Sequence, residues 1–163
     1  MPATYEPIAT TTLGSATATI TFSSIPNTYT DLKVILFGKM TSAANAFLTI
    51  NSDTGNNYFY TRLTGDGIAP DSAVGVNQIW QILTVGGLSA SNNGLIEIDL
   101  FSYANSSRKS YLIKSAQDDN GGKTINTYIA LWQNTSVINN LQLKSQSTFA
   151  IGTTATLYGI KAA

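Results

Sequence analysis

The amino-acid sequence predicts an all-β fold, organised as an antiparallel, jelly-roll-like β-sandwich. Short segments throughout the chain alternate apolar and polar residues with a period of two, which is typical of strands with one buried face. Segments rich in Gly, Asn, Asp and Pro separate them, and none has the apolar spacing of an amphipathic helix. These signals predict about nine or ten strands. Mixed short and long connections favour a jelly roll over a simple meander.

The first twelve residues differ from the rest of the chain. They show little apolar periodicity and contain Pro2 and Pro7, both of which favour extended backbone. We predict an extended N-terminal arm over residues 1–12, followed by a single β-sandwich domain over residues 13–163. The arm is either a frayed terminus or a segment ordered against a neighbouring subunit. In the second case Tyr5, Pro7 and Ile8 are its candidate contacts.

The first half of the chain supplies four predicted strands, over residues 15–22, 32–37, 46–50 and 58–63. The first of them has the alternation of a half-solvated antiparallel strand, with its buried face formed by Ala16, Ala18, Ile20 and Phe22. The second is apolar on both faces apart from Lys33, which predicts a central strand.

The next part of the chain is less regular. Residues 68–76 are predicted as a loop, and residues 78–85 fit either a strand or a short helical turn. Clear patterning returns at residues 95–101, where apolar residues alternate with Glu97 and Asp99. Further strands are predicted over residues 111–116 and 154–160, with a short edge strand at 149–151.

Residues 124–143 read as a β-hairpin, with two strand-like runs around the polar segment 133–136. In the first run, one face carries Ile125, Thr127, Ile129 and Leu131, and the other carries Asn126, Tyr128, Ala130 and Trp132. We predict that Ile129 and Leu131 are buried. The rest of the predicted core comprises Ile20, Phe22, Val34, Leu36, Ile96, Ile98 and Leu100.

Composition excludes several kinds of chemistry. The sequence has no cysteine and no histidine, so disulfides, thiol nucleophiles, zinc sites built from Cys or His, and Ser-His-Asp triads are ruled out. Nine acidic and nine basic residues give no net charge, so we expect no nucleic-acid partner. No apolar run is long enough to span a membrane, and the N-terminal residues lack a signal-peptide pattern. We predict a protein that is not an enzyme and has no catalytic residues, cofactor or metal.

Two sets of acidic residues offer alternatives to that prediction. Glu97 and Asp99 share a strand face, as glycosidase carboxylates could, but a solvated strand face explains the same alternation. The motifs DTG at residues 53–55 and DDNG at 118–121 resemble fragments of calcium loops. Asp and Asn before Gly are also ordinary turn chemistry, which is the interpretation we adopt.

Aromatic side chains offer one more binding chemistry, because their rings can stack on sugars. The candidate glycan contacts are Trp80, Trp132, Tyr58 and Tyr60. Aromatic residues in strands also serve as core or subunit contacts, and both interpretations stay open here.

Four stretches carry a resemblance to a known class of proteins: YEPIATTTLGSATATITFSSIPNTYTDL, TINSDTGNNYFYTRLTGDG, IALWQNTSVINNLQL and ATLYGIKAA. They resemble small virion proteins of tailed bacteriophages, especially those of cyanobacterial and other aquatic phages. The resemblance runs nearly from end to end and carries no catalytic signature. It implies a β-sandwich module that assembles as a trimer and either decorates the capsid or forms a fibre.

From this resemblance we expect a virion structural protein, made in the host cytoplasm and located on the capsid surface. The leading hypothesis is a decoration or cement protein that stabilises the head by bridging capsid subunits. Its expected partners are the major capsid protein and itself, as a homotrimer, with no membrane or nucleic acid. The alternative is a trimeric head or tail fibre module that binds host surface glycans. An enzyme such as a depolymerase is a third possibility.

Overall fold

The computed structural model describes residues 4–78, 84–118 and 123–161. Within these ranges the chain forms twelve strands and no helix. The strands are β1 (Tyr5–Thr12), β2 (Thr17–Phe22), β3 (Asp31–Gly38), β4 (Ala44–Ile50), β5 (Tyr58–Gly65), β6 (Pro70–Gln78), β7 (Thr84–Leu88), β8 (Gly94–Leu100), β9 (Lys109–Asp118), β10 (Lys123–Trp132), β11 (Leu141–Phe149) and β12 (Thr154–Ile160).

The strands form two antiparallel sheets. The larger has eight strands in the order β1-β12-β3-β8-β9-β10-β5-β6, and the smaller has four in the order β2-β11-β4-β7. Strands β5 and β6, β8 and β9, and β9 and β10 are consecutive neighbours in the larger sheet, whereas each of the other eight connections between the described strands crosses from one sheet to the other. Buried residues of both sheets form one hydrophobic cluster. The all-β prediction is therefore confirmed, in an arrangement consistent with a β-sandwich.

The core lies between the inward faces of the two sheets. In β8, Ile96, Ile98 and Leu100 are fully buried, while Glu97 and Asp99 between them stay partly exposed. This alternation follows from the two-residue period of a strand with one face on the core. The predicted burial of the whole following set is confirmed: Ile20, Phe22, Val34, Leu36, Ile96, Ile98 and Leu100.

The predicted facing of β10 is wrong. Ile129 is 68% exposed, and Leu131 is only partly buried. The opposite face carries Tyr128, Ala130 and Trp132, and that face is buried. Both faces are apolar enough to fill a core, so the alternation locates the strand without deciding which face turns inward.

The predicted hairpin over residues 124–143 is also wrong. β10 pairs with β9 and β5 in the larger sheet, whereas β11 pairs with β2 and β4 in the smaller one. Residues 133–140 therefore cross between the sheets. Asn51 binds the end of this crossing that precedes β11. Its side-chain amide N–H donates to the carbonyl of Val137, and its Oδ1 accepts from the backbone N–H of Asn139.

The N-terminal segment is extended, as predicted, but it belongs to its own sheet. Residues Tyr5–Thr12 form β1, which pairs antiparallel with β12 from Tyr5 opposite Ile160 to Thr12 opposite Thr154. The expectation of an arm outside the sandwich is corrected accordingly. An edge strand needs only one ladder of hydrogen bonds and shows much of its surface to solvent, so its sequence can lack an apolar stripe.

Other segments differ from their predictions in smaller ways. Residues 68–76, predicted as a loop, contain most of β6, the other edge strand of the larger sheet. The ends of the undecided stretch 78–85 belong to β6 and β7, and residues 79–83 lie outside the described ranges. Phe149 ends β11 rather than starting a short edge strand, and Ile151 sits in the turn before β12.

Candidate interaction surfaces

The outward side of the larger sheet carries an apolar surface near its β6 end. Residues directly opposite each other in a ladder point to the same side of a sheet, and Ile129 lies opposite Thr61, which lies opposite Val74. We call the outward rows of β5, β6 and β10 the apolar face. It consists of Phe59, Thr61, Leu63, Gly65, Pro70, Ser72, Val74, Val76, Ile125, Thr127, Ile129 and Leu131.

Side chains of the apolar face are unusually accessible for their type. Val74 is 71% exposed, Ile129 68%, Ile125 64%, Leu63 62% and Val76 58%. A shallow groove follows the middle of the face, lined by residues that include Phe59, Val74 and Ile129. No position of the apolar face carries a charge. Contiguous exposed apolar surface of this kind marks protein interaction sites.

Charged side chains border the apolar face on the next strands of the sheet. Lys114 of β9 lies opposite Glu97 of β8, and Asp99 lies opposite Lys33 of β3. The ammonium group of Lys33 donates to Asp99 at 2.9 Å and approaches Glu97 at 3.5 Å. Burial alone would lower the pKa of Lys33, but the hydrogen bond and charge of Asp99, with Glu97, outweigh burial and raise that pKa. Glu97 and Asp99 thus share one ammonium partner on a strand face, which agrees with the solvated-face interpretation.

A second surface lies at the opposite edge of the larger sheet. We call it the Tyr5 edge and define it by Tyr5, Glu6, Tyr29, Tyr158 and Lys161. The rings of Tyr5 and Tyr158 meet edge to face, with centroids 6.5 Å apart. Glu6 accepts hydrogen bonds from Lys161 at 2.9 Å and from the hydroxyl of Tyr29 at 3.2 Å. The hydrogen bond from Lys161 is the main reason that the pKa of Glu6 is lowered.

The three predicted contacts of the N-terminal segment therefore divide into two groups. Tyr5 is 54% exposed and Pro7 is also exposed, so both are accessible to a partner. Ile8 instead packs against the core of its own chain.

Gly159 of β12 lies directly beneath the ring of Tyr29, a residue of the Tyr5 edge. The ring of Tyr29 lies directly on its backbone, and an added Cβ would come within 2.4 Å of that ring. Only glycine leaves room for this contact. Tyr29 can therefore reach Glu6 of β1 across β12.

The predicted glycan contacts are largely unavailable for stacking. Trp132 and Tyr58 are both fully buried, so the prediction is corrected for these two residues. Both rings lie in the core, where bulky aromatic side chains bury the most apolar area. Tyr60 is partly buried and packs edge-on against Tyr128, with centroids 5.8 Å apart. Trp80 lies outside the described residues.

Asp53, a candidate calcium ligand, uses its carboxylate within the fold. Its Oδ2 accepts hydrogen bonds from Trp132 Nε1 at 2.7 Å and from Asn57 Nδ2 at 2.8 Å, while Oδ1 accepts from the N–H of Gly55 at 2.8 Å. These contacts agree with the turn interpretation of the first motif. In the second motif, Asp118 ends β9, and residues 119–121 lie outside the described ranges.

Lys109 is a buried cation that sequence reasoning missed. Its side chain is fully buried, and its ammonium group donates to the backbone carbonyls of Asn105 and Ser107, with that of Thr135 at 3.4 Å. Burial lowers the pKa of Lys109. The ammonium group ties the loop before β9 to the crossing after β10, a structural role. No sequence signal distinguishes Lys109 from a surface lysine, because its partners are backbone groups.

Within residues 4–78, 84–118 and 123–161, no group of three or more potential metal-ligating side chains comes together. The same segments contain no helix with the length and hydrophobicity needed to span a bilayer. Comparisons with protein-family models, with curated proteins and with solved structures found no match to this chain.

Proposed function

We propose that this protein is a structural component of a tailed bacteriophage virion and acts as a decoration or cement protein that bridges capsid subunits. In this proposal it is made in the host cytoplasm and occupies the capsid surface as a homotrimer. The observation that carries the proposal is the apolar face, a charge-free surface suited to contact with protein. The four stretches that resemble small phage virion proteins supply the assignment to a virion.

The amount of exposed apolar surface supports a role in assembly. Burying one aliphatic side chain removes about 100 Å² of apolar surface from water. Five side chains that are roughly two-thirds exposed therefore offer about 300 Å², and Phe59 and Leu131 add to this. The largest apolar patch of an ordinary monomer is about 300–600 Å² and is often functional. A structural protein, which acts by binding other subunits, would use such a surface as a protein contact.

The Tyr5 edge supplies the proposed contact with the major capsid protein. As the terminal strand of its sheet, β1 directs one row of backbone groups outward, where a strand of a neighbouring subunit can add to it. The exposed Tyr5 and Pro7 flank that row and would give the contact its side-chain specificity. The repeated crossing of the chain between the two sheets supports a jelly-roll class of sandwich as part of this proposal.

A capsid-binding experiment tests the proposal. Purified protein is added to phage capsids that lack it, and bound copies are counted and located by electron cryomicroscopy. We expect many copies distributed over the capsid faces and weaker binding by a Tyr5→Ser variant. An Ile151→Ser variant serves as the matched control, because Ile151 is also a large exposed side chain but lies in the turn at the other end of β12 from Tyr5. Copies confined to the tail or the vertices would favour a fibre, and no binding to any virion part would overturn the proposal.

A further inference from the structure

The apolar face has the properties of a surface that meets its own copy. A standard interface buries about 800 Å² per partner, of which about 450 Å² is apolar. The five most exposed side chains of the apolar face supply about 300 Å² of this, and the partly exposed Phe59 and Leu131 extend it. The apolar face therefore supplies about two-thirds of the apolar area of a standard interface, before Phe59 and Leu131 are counted.

We propose that neighbouring copies of this same chain cover the apolar face, an inference that rests on the proposed homotrimer and assigns its interface. Charge supports this choice of occupant. The apolar face presents no charge that would select an oppositely charged partner, and the chain has no net charge that would drive copies apart. The border of the apolar face carries a positive charge on Lys114 of β9 and a negative charge on Glu97 of β8. Symmetry-related copies can therefore place oppositely charged side chains next to each other.

The geometry of the face fits closed symmetry. In a closed ring of three, one part of the contact surface of each copy meets a different part on the next copy, and the third contact closes the ring. Three copies around a three-fold axis would each turn the same three strands, β10, β5 and β6, towards the axis. Leu63 lies on β5, the middle strand of that surface, and Ile129 lies midway along β10, opposite Thr61 of β5.

A charge placed on the apolar face tests the inference. In Ile129→Lys the new ammonium group would have to be buried unpaired in the contact, so we expect the dissociation constant to rise by about 30-fold or more, as for a central interface residue. Leu63→Lys, on β5 and 62% exposed, is a second variant with the same expected effect. The matched control is Ile151→Lys, because Ile151 is also 68% exposed but lies in the turn before β12.

Light scattering after size exclusion, over a range of protein concentrations, gives the readout. We expect the wild-type chain and Ile151→Lys at three times 17.3 kDa, and both face variants shifted towards a single chain. Circular dichroism confirms that the variants keep their β structure. Wild-type protein that is a single chain at every concentration overturns the inference, and so does unchanged association of both face variants.

The capsid assay is scored separately, so the two proposals fail independently. Virion binding by a chain that does not associate through the apolar face overturns this inference and leaves the virion role standing. A wild-type dimer that both face variants dissociate supports the assigned face and contradicts the trimer.

Discussion

The indole Nε1 of Trp132 donates a 2.7 Å hydrogen bond to Oδ2 of Asp53, which precedes it by 79 residues. Asp53 follows β4 of the smaller sheet, and Trp132 ends β10 of the larger one. The bond therefore ties the connection between β4 and β5, which crosses from the smaller sheet to the larger one, to the end of β10. It also satisfies the single polar group of the largest buried side chain, which would be costly to bury without a partner.

Replacing Asp53 with Asn should destabilise the fold. An amide has one acceptor oxygen, so it cannot serve Trp132, Asn57 and Gly55 as the carboxylate does. We expect the free energy of unfolding to fall by about 1–3 kcal/mol, measured by urea denaturation. An unchanged midpoint in Asp53→Asn would show that the network does not stabilise the fold.

Acid should remove the same stabilisation from the wild-type protein. Burial acts to raise the pKa of Asp53, but the hydrogen bonds from Trp132, Gly55 and Asn57 outweigh it and lower that pKa below 3.8. The contribution of Asp53 is therefore present above pH 3.8 and is lost as the pH falls through the lower folded-state pKa. Melting temperatures of the wild type and Asp53→Asn should converge at low pH, and a difference that persists there would contradict this linkage.

Truncating Ile98 to Ala should cost about 2–5 kcal/mol, because it deletes buried methylene groups and leaves a cavity. Ile98 is fully buried between the sheets. Ile151→Ala is the matched control, with an expected change within about 0.5 kcal/mol, since Ile151 is 68% exposed. Chemical denaturation measures both, and equal costs would refute the assigned facing of β8.

Gly159→Ala should loosen the Tyr5 edge. The new methyl group would come within 2.4 Å of the Tyr29 ring, which would have to leave its place. We expect a loss of about 1–3 kcal/mol, as for other overpacked sites. Gly65→Ala is the control, because no atom lies within 4 Å of its added Cβ. Similar stability of both variants would show that the Tyr29 ring is not confined by Gly159.

Removing the hydroxyl of Tyr111 should raise stability. Among the described residues this buried hydroxyl has no hydrogen-bond partner, so Tyr111→Phe should gain about 1 kcal/mol. Tyr58→Phe is the contrasting variant. The Tyr58 hydroxyl accepts from the N–H of Ile50 at 3.1 Å and donates to the carbonyl of Asp53 at 2.9 Å, so its removal should destabilise the fold. Thermal denaturation at neutral pH should order the proteins with Tyr111→Phe above the wild type and Tyr58→Phe below it.

Alkaline pH should destabilise the wild-type protein through its buried tyrosines Tyr111 and Tyr128. Burial raises the pKa of Tyr111 well above its ordinary value of 10.0, and burial also raises that of Tyr128. The folded state then keeps protons that the unfolded state releases, so stability is complete below pH 10.0 and falls as the pH rises above it. Tyr111→Phe should show a shallower fall in melting temperature, and parallel curves for the two proteins would contradict the assignment.

Sequence reasoning succeeded where one face of a strand is clearly more apolar than the other. In β8, Glu97 and Asp99 mark the outward face, so burial of Ile96 and Ile98 could be predicted. In β10 both faces are apolar, and the inward one is chosen by contacts that are distant in sequence. The hydrogen bond between Trp132 and Asp53 is one of these contacts, and the local alternation of residues does not predict it.

The surfaces could be predicted only in part. The sequence predicts Tyr5 and Pro7 as contacts because they stand out in a segment without a buried face, and the structure shows that both side chains are exposed. The apolar face was missed for two reasons. The alternation in β10 predicts Ile129 in the core, and the small residues Ala73 and Gly75 give β6 the pattern of a loop, although an edge strand needs few bulky side chains.

The position of β12 has a consequence for how the protein is made. β12 lies between β1 and β3, although it is the last of the described strands to leave the ribosome. During translation β1 and β3 lack their shared neighbour while the eight strands from β4 to β11 are synthesised. The larger sheet can form completely only after β12 has been synthesised. Until then both nascent strands offer unpaired edges, where chains growing on the same messenger RNA can join.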